Sequence, residues 1–516
     1  MGCGSGGGTA TTATSGTSTS AATGGSTSST AGTPVAGGTL RVVTGSQPGG
    51  NQIGVPWKYN ASVPGFLTPV VEPLIVSDPS GKLQPWLAKS WEIAADNLSI
   101  TFALRNDVKF SDGTAFNAAA VKWNIDHQIA AKAATTANMK SVDIVDDYTV
   151  KINLATWDAT LLNQMTNCVQ VLLMISPTAY DKNGETGAES KLVGTGPFLL
   201  ESWDSTVGAK MVKNPNYWQK GKPYLDGIQF TFLSDPTAAI MALKSGQQDM
   251  AYIFRGAFVD QKADLANSGY PMVYFKNGSG LYAMFPDSAN ATSPLANQTI
   301  REAIEYATDK DTLCKTVGHG LWTPVWQAAP PVNAAYNPDL QPQRKYDVAK
   351  AKELLTQAGY KGETINLYTL ATDKSLSEAI QAMWKEAGIT AEIVIMDQAS
   401  WVAKMKGWEN GYLISAIGTN PIWLSTLPRY FADPPISYVS MKRSAPLNAA
   451  FADARASKDL PTLIAKTQAM VKAINDEAMM LPLFMHEADY NVSTKVQNPG
   501  FDVSGIWNTA DIWIQK

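Results

Sequence analysis

The chain is poor in the side chains on which most metal and redox centres depend. Its 516 residues include only 3 cysteines and 3 histidines. The histidines, His127, His319 and His486, lie far apart in the sequence, so none of them has a partner at metal-ligand spacing within one helix or turn. We therefore predict no metal site and no cofactor. Besides Cys3 the chain has only Cys168 and Cys314, which are either two buried thiols or one disulfide.

The motifs of common enzymes are incomplete or missing. The Gly-Thr-Gly sequence at 194–196 begins like a dinucleotide-binding loop, but the third glycine position is Leu199. Pro197 would also interrupt the helix start that holds phosphate. No Gly-x-Ser-x-Gly sequence occurs, and no P-loop is complete. The sequence therefore predicts a protein that is not an enzyme.

Charge and hydropathy exclude two further classes. The net charge is only -4, which gives no reason to expect binding to nucleic acid. No apolar run approaches the roughly 18 residues of a membrane-spanning helix. The hydrophobic content of 45% and the length of the chain are enough for two or three packed cores.

The first 34 residues have a composition of their own. Residues 4–34 are almost entirely Gly, Ser, Thr and Ala, and such a segment buries too little apolar surface to order itself, so we predict a flexible tether at 1–34. Cys3 ahead of this tether looks like the lipidated cysteine of a bacterial lipoprotein whose signal has been removed. A cloning remnant at the first two residues is the alternative. The lipoprotein interpretation predicts an extracytoplasmic protein held at the cell membrane, at the cell surface or in the periplasm, by its lipid alone.

What the sequence does contain is a series of ordered local patterns. Apolar residues alternate over 100–104 and over 108–110, and the Asn-Asp pair at 106–107 predicts a turn, and so a hairpin, between them. Asn117 is placed to cap a helix that follows. The apolar residues of this helix recur at four-residue spacing as Val121, Ile125 and Ile129. Further along, the Asp pair at 146–147 predicts a hairpin turn. A second helix is predicted between Asp347 as its cap and Gly359 as its end, with the apolar residues of 354–358 in the core.

The segment 83–121 that contains these patterns resembles the signature of the family 5 extracellular solute-binding proteins. These are the oligopeptide, dipeptide and nickel receptors of bacterial ABC importers. Further resembling segments follow in the family's order, and together they extend from about residue 39 to 490. They lie at 193–198, 213–218, 225–228, 245–249, 301–310 and 346–360.

The resemblance implies an α/β fold of the periplasmic-binding-protein-like type, with two lobes joined by a hinge. It is the cluster C type, which carries an extra inserted domain. Lobe I would take 35–66, 188–272 and 488–516, the inserted domain 67–187, and lobe II 273–487. The implied protein is a monomer that closes on a small-molecule ligand and presents it to the transmembrane permease subunits of the transporter.

One departure from the family pattern concerns the ligand. Peptide-binding relatives place a carboxylate after a strand of lobe II, where it pairs with the peptide's α-ammonium group. Here the corresponding segment carries Thr419 and Asn420, and a neutral amide offsets the desolvation of an ammonium less well than a carboxylate does. We therefore expect a non-peptide solute, aromatic or sugar-like. A peptide receptor remains the alternative, with Glu409 or another acid as the substitute.

Candidate ligand-binding residues are mostly aromatic. The four tryptophans lie in loops that approach the cleft in the family, and Tyr282 and Phe285 lie on the strand that begins lobe II. Such rings can stack on sugars or aromatic ligands, although each one could instead pack in a core. His486 could bond the ligand or be structural, and Arg255 could neutralise an acidic ligand or pair at the surface. A signalling or scaffold lipoprotein without a transport role is a further alternative. The full candidate set is Trp57, Arg255, Tyr282, Phe285, Trp322, Trp326, Thr419, Asn420, Trp423 and His486.

Overall fold

The computed structural model of the protein describes a defined part of the chain. The described ranges are 32–44, 53–58, 66–78, 82–133, 136–166, 172–233, 235–252, 259–273, 280–331, 333–340, 342–418, 420, 422–435, 437–486, 490–499 and 508–516. Residues 35–516 form one unit, to which all elements below belong. None of the described helices has the length and apolar character that a membrane crossing requires.

A seven-stranded sheet uses segments from both ends of the folded chain. Its strands, in spatial order, are β12 (Met272–Val273), β19 (Tyr490–Val492), β11 (Met250–Tyr252), β1 (Thr39–Thr44), β10 (Gly227–Phe232), β9 (Gly208–Lys213) and β8 (Phe198–Asp204). β1 runs parallel to both of its neighbours, and the other pairs are antiparallel. Ile228 and Phe230 of β10 are buried on one face, as the alternation of this strand predicts.

A four-stranded antiparallel sheet forms from residues 88–154. Its strands are β4 (Ala88–Ile93), β5 (Ser99–Leu104), β7 (Thr149–Leu154) and β6 (Met139–Asp146). The predicted hairpin between 100–104 and 108–110 is wrong, because β5 pairs with β4 and β7 instead. Val108 and Phe110 are buried, but Phe110 N-H bonds the carbonyl of Thr114 in a tight local turn. The alternation of apolar residues at 108–110 therefore reflects the burial of Val108 and Phe110 and does not indicate a strand that pairs with β5.

The helix that packs on this sheet begins as predicted. It is α1 (Ala118–Ala130), and the Asn117 side-chain oxygen accepts the Ala120 N-H at 3.0 Å. Val121 and Ile125 are fully buried against the sheet, while Ile129 is half-buried. The cap and the apolar spacing are both confirmed.

A six-stranded sheet carries helices on both faces. Its strands, in spatial order, are β14 (Thr323–Pro324), β18 (Leu481–Met485), β13 (Leu281–Pro286), β17 (Gly411–Ile417), β15 (Ile365–Leu370) and β16 (Ala391–Met396). β15 is parallel to β16 and β17, and β13 is antiparallel to β17 and β18. Every residue of β13 is buried, because a separate hydrophobic core covers each face of the sheet.

The remaining elements surround these sheets. Two short antiparallel ladders pair β2 (Ile75–Ser77) with β3 (Leu83–Pro85) and β20 (Val496–Gln497) with β21 (Trp513–Ile514). Asp347 and Gly359 bound the helix Val348–Ala358 (α8) as predicted, because the Asp347 side chain accepts the Lys350 N-H and Gly359 has a φ of 72°. The other helices are α2 (Leu161–Gln164), α3 (Pro177–Ala188), α4 (Pro236–Lys244), α5 (Val259–Asn267), α6 (Gln298–Tyr306), α7 (Lys310–Thr316), α8 (Val348–Ala358), α9 (Lys374–Glu386), α10 (Gln398–Lys404), α11 (Pro428–Phe431), α12 (Ala445–Arg455) and α13 (Leu460–Asp476).

The chain passes twice between the seven-stranded and the six-stranded sheet. It leaves β12 to enter β13, and it returns from β18 to β19. β12 pairs with β19 in the first sheet, and β13 pairs with β18 in the second, both antiparallel. Both connections therefore start from neighbouring strands in each sheet. The predicted lobe boundaries themselves stay a prediction.

A buried carboxylate joins the four-stranded part to the seven-stranded part. Glu72 is 3% exposed and accepts hydrogen bonds from Trp86 Nε1 at 3.0 Å and Thr195 Oγ1 at 2.8 Å. Tyr217 Oη donates to it at 2.8 Å and Trp218 Nε1 at 3.0 Å. Burial raises the pKa of Glu72 to about 7, although all four donors favour its charged form.

A second junction joins the four-stranded part to the six-stranded part. Trp157 Nε1 donates to the carbonyl of Ser457 at 2.8 Å, and Ala159 N-H donates to the carbonyl of Arg455 at 2.9 Å. Arg455 Nε also lies 3.7 Å from the Asp158 carboxylate. We call this group of contacts the 157–457 junction.

Candidate functional site

A cavity of about 300 Å³ lies beside β13 and β18 of the six-stranded sheet. Most of its wall comes from that part of the chain, including Tyr282 on β13, Phe484 on β18 and Trp322 after α7. Val259 adds a contact from the start of α5, which follows β11 of the seven-stranded sheet. We call this space the aromatic cavity.

Three aromatic rings form a stack along one wall of the aromatic cavity. The rings of Trp322 and Phe484 are nearly parallel, with centroids 3.9 Å apart. Phe484 stacks on Tyr282 in turn at 5.0 Å, and the ring of His486 meets Tyr282 edge-on at 5.4 Å. The structure thus brings together three of the predicted residues, Tyr282, Trp322 and His486. It adds Phe484, which sequence reasoning missed although its place in an apolar strand was apparent.

Two glycines make this arrangement possible. A Cβ at Gly318 would lie 2.6 Å from the ring of Trp322 and from the carbonyl oxygen of Cys314. A Cβ at Gly280 would lie 2.6 Å from Nε2 of His486. Both distances are too short for any side chain without a shift of the ring, so these glycines allow the indole and the imidazole to sit directly against the backbone.

A carboxylate also faces the aromatic cavity. Asp373 is 6% exposed and accepts a hydrogen bond from Tyr282 Oη at 3.3 Å. It follows Leu370, at the carboxyl end of a parallel strand, where α/β proteins commonly bind ligands. Within the described ranges, no group of three or more His, Cys, Asp or Glu could hold a metal ion. A carboxylate among aromatic faces is instead suited to a ligand that carries a positive charge.

The loop after β17 uses its polar groups locally. Asn420 Oδ1 accepts the Ile422 N-H at 3.0 Å, and the Asn420 carbonyl accepts Asn333 Nδ2 at 2.8 Å. Trp423 is 1% exposed, and its Nε1 donates to the carbonyl of Ala328 at 2.7 Å. These contacts hold the loop in place. Thr419 lies outside the described residues.

Three other candidate residues that the structure describes, Phe285, Trp326 and Trp57, do not line the aromatic cavity. Phe285 is fully buried in the core and stacks on Tyr430 at 5.0 Å. Trp326 is half-buried under the ammonium of Lys310, whose pKa burial lowers to about 8. Trp57 packs against the rings at positions 123, 127 and 180. Arg255, Cys3 and Cys168 lie outside the described residues, and Cys314 is buried. The ligand roles of these residues stay predictions.

Curated relatives of this sequence are solute-binding proteins. The chain is 33% identical over 341 residues to the glutathione-binding protein GsiB of Salmonella typhimurium, and 32% identical over 349 residues to that of Escherichia coli O1:K1. In both cases the match covers 64% of this chain and 64% of the relative, so it spans less than two thirds of their length.

Solved structures share the fold over nearly the whole chain. NikA from Brucella suis, in complex with Fe(III)-EDTA, superposes with a TM-score of 0.80 at 23% identity and covers 93% of this chain and 100% of that one. DppA from Helicobacter pylori, in complex with the peptide STSA, gives 0.73 at 21% identity and covers 93% and 99%. At these identities the likeness shows the fold alone, and it confirms the predicted α/β periplasmic-binding-protein-like class.

A sequence profile of the bacterial extracellular solute-binding proteins, family 5, matches residues 82–437. This match spans more than half of the chain and includes β13, β15 and β17 of the six-stranded sheet. It includes the whole of the segment 83–121 that carries the resemblance in the sequence. The chain therefore belongs to the bacterial extracellular solute-binding proteins of family 5.

Proposed function

We propose that this protein is the receptor of a bacterial ABC importer. It captures a small solute in the aromatic cavity and delivers it to the transmembrane permease subunits. The observation that carries this proposal is the stack of Trp322, Phe484 and Tyr282 beside the Asp373 carboxylate in a cavity that Val259 also lines. A ligand that contacts both Val259 and the cavity residues of the six-stranded part would favour the closed arrangement, because it would bind that arrangement more tightly than the open one.

The chemistry of the aromatic cavity supports a non-peptide solute with a flat apolar group and a basic nitrogen. The aromatic faces would stack on the flat group, and the Asp373 carboxylate would accept a charge-assisted hydrogen bond from the nitrogen. The Tyr282 hydroxyl, which already donates to Asp373, would hold that carboxylate in position. At Asn420 the side-chain oxygen is used by Ile422, which supports a recognition mode different from that of peptide-binding relatives.

A receptor for a short peptide is the second candidate. The 33% identity to glutathione-binding proteins favours it. The α-ammonium group of such a ligand would find in Asp373 the carboxylate that the sequence around Asn420 lacks.

The extracytoplasmic location and the lipid anchor at Cys3 belong to the same proposal. The uncharged Gly/Ser/Thr segment after Cys3 supports them, since it would let a folded monomer move freely near the membrane. Partition of the native protein into detergent, and its loss in C3S, would test the anchor. Recovery of the unaltered protein entirely in the aqueous phase would contradict it.

A thermal-shift panel tests the function. The panel contains tryptamine, phenethylamine, glucose, glutathione and dipeptides. The assay detects binding because a ligand at 100 times its Kd stabilises the folded state by about 2.7 kcal/mol. We expect aromatic amines to raise the Tm most. Stabilisation by glutathione or dipeptides alone would favour the peptide receptor, and no response to any small solute would count against both candidates.

The variant D373N tests the site, with the exposed Asp339 as the matched control. Asn keeps an oxygen that can accept the Tyr282 hydroxyl but removes the negative charge. Because hydrogen bonds to charged groups contribute about 1.5–3 kcal/mol, we expect D373N to weaken the binding of an amine ligand about 10-fold to 100-fold and D339N to leave it unchanged. Equal affinity of D373N and the unaltered protein would remove Asp373 from the site.

A further inference from the structure

A second cavity, of about 270 Å³, lies at the 157–457 junction. Leu83, Ile93 and Leu162 line it from the four-stranded part and its neighbouring ladder. Leu460 and Leu463 of α13 line it from the side of the six-stranded sheet. It shares no lining residue with the aromatic cavity. We call it the junction cavity.

Two buried polar side chains in the wall of the junction cavity carry atoms that have no hydrogen-bond partner among the described residues. Asn163 is 3% exposed, and among the described residues neither its Nδ2 nor its Oδ1 has a hydrogen-bond partner. Ser457 is also 3% exposed and lines the same cavity with an unpartnered Oγ. Its carbonyl, in contrast, is occupied by Trp157 Nε1. Buried polar groups are nearly always satisfied in folded proteins, so a donor and an acceptor unpaired on one side chain point to a ligand that supplies both.

We propose that the junction cavity is a second small-molecule site, which binds a neutral ligand with an apolar body and a primary carboxamide or lactam group. In such a group a C=O and an N-H point the same way. The amide atoms of Asn163 are closed to water in this structure, so its side chain would rotate toward the cavity on binding. The ligand C=O would then accept from Asn163 Nδ2, and the ligand N-H would donate to Asn163 Oδ1. The Ser457 hydroxyl would reach the second lone pair of the ligand carbonyl, and the leucine and isoleucine side chains would cover the apolar body.

Other ligand chemistries fit this wall less well. A carboxylate only accepts hydrogen bonds, so it would leave Asn163 Oδ1 unpaired even where Lys82 or Lys458, which also line the cavity, offset its charge. A tertiary amide lacks the N-H that Oδ1 requires. Water could satisfy Asn163 and Ser457, but it would leave the apolar wall uncovered. The site goes beyond the proposed function, because it needs no transported solute.

Calorimetric titration of the full chain with benzamide tests the proposal. Benzoate and N,N-dimethylbenzamide are the control ligands, since the first lacks a donor and the second lacks the N-H. We expect saturable binding of benzamide and at least about tenfold weaker binding of each control, which corresponds to one or two lost hydrogen bonds. Equal binding of the three compounds, or no saturable binding of benzamide, would overturn the proposal.

Variants then locate the site. N163L removes both polar atoms at similar volume, and we expect it to weaken benzamide binding at least about tenfold, while S457A weakens it about threefold. N448L, on α12 and away from the cavity lining, should bind as the unaltered protein does. Unchanged binding in N163L would overturn the assignment. If N163L does not fold, S457A and a crystal structure with benzamide decide it, and a structure with only water at Asn163 would count against the site.

Discussion

Glu72 should make the stability of the protein depend on pH. Its carboxyl is 3% exposed and surrounded by four donors, and burial raises its pKa to about 7 from an ordinary value of 4.5. An acid with a raised folded-state pKa contributes stability that is complete below the unfolded pKa and lost as pH rises through the folded pKa. The free energy of unfolding should therefore fall between about pH 4.5 and pH 7.

The variant E72Q checks this assignment. We expect the fall, which is at most about 1.4 kcal/mol per pH unit for one group, to be absent in E72Q. E72Q should also be less stable by about 1–3 kcal/mol at low pH, because the NH2 group of the glutamine would face groups that are themselves hydrogen-bond donors. Urea unfolding at pH 5, 6 and 7 measures both effects, with the exposed Glu92 as control in E92Q. Parallel pH profiles for E72Q and the unaltered protein would refute the assignment.

Loss of the ion pair between Arg344 and Glu305 should also lower the stability of the protein. Arg344 Nε lies 2.7 Å from Glu305 Oε2, and the side chains are 10% and 7% exposed. Removing one partner of such a buried pair leaves an uncompensated charge, so E305Q should destabilise the protein by about 3–5 kcal/mol. The exposed pair of Lys374 and Glu378 offers the control E378Q, which should cost at most about 1 kcal/mol. Similar chemical-denaturation midpoints for E305Q and E378Q would contradict this expectation.

At the scale of elements, the sequence predicted those features that depend on neighbouring residues. The caps Asn117 and Asp347, the buried faces of α1 and α8, and the hairpin of β6 and β7 around 146–147 all depend on contacts within a few positions. The pairing of β5 was mispredicted because its partners β4 and β7 compete with the nearby 108–110 segment, and tertiary packing decides between them.

The same distinction applies to the site. Residue type and position in the chain suggested Tyr282, Trp322 and His486, which the structure brings together, and their ligand roles stay predictions. The Asp373 carboxylate was missed because its contact with Tyr282 spans 91 positions and exists only once β15 and β13 lie in one sheet. No local pattern around Asp373 records that contact.

The cap of α1 gives a test at this scale. Asn117 accepts the Ala120 N-H at 3.0 Å, and its replacement by alanine leaves that donor without its partner. We expect N117A to lower the free energy of unfolding by about 1 kcal/mol. N106A, at an exposed position before the helix, should change it by less than about 0.5 kcal/mol. A loss of equal size in both variants would show that the cap is not the cause.

At the scale of the whole molecule, the 157–457 junction links parts that are far apart in sequence. W157F removes the hydrogen bond from Trp157 Nε1 to Ser457 while keeping most of the ring, so we expect a cost of about 0.5–1.5 kcal/mol to the arrangement in which this bond is made. Small-angle X-ray scattering should then report a larger radius of gyration for ligand-free W157F. W91F, on β4, is the control. An unchanged radius in W157F would mean that the junction does not hold the parts together.

The two passages of the chain between the large sheets have a mechanical consequence. Because they start from adjacent strands at both ends, β12 beside β19 and β13 beside β18, we expect any motion between the two large sheets to be mainly a rotation about one axis. A single distance between one dye on each large sheet should then follow that motion.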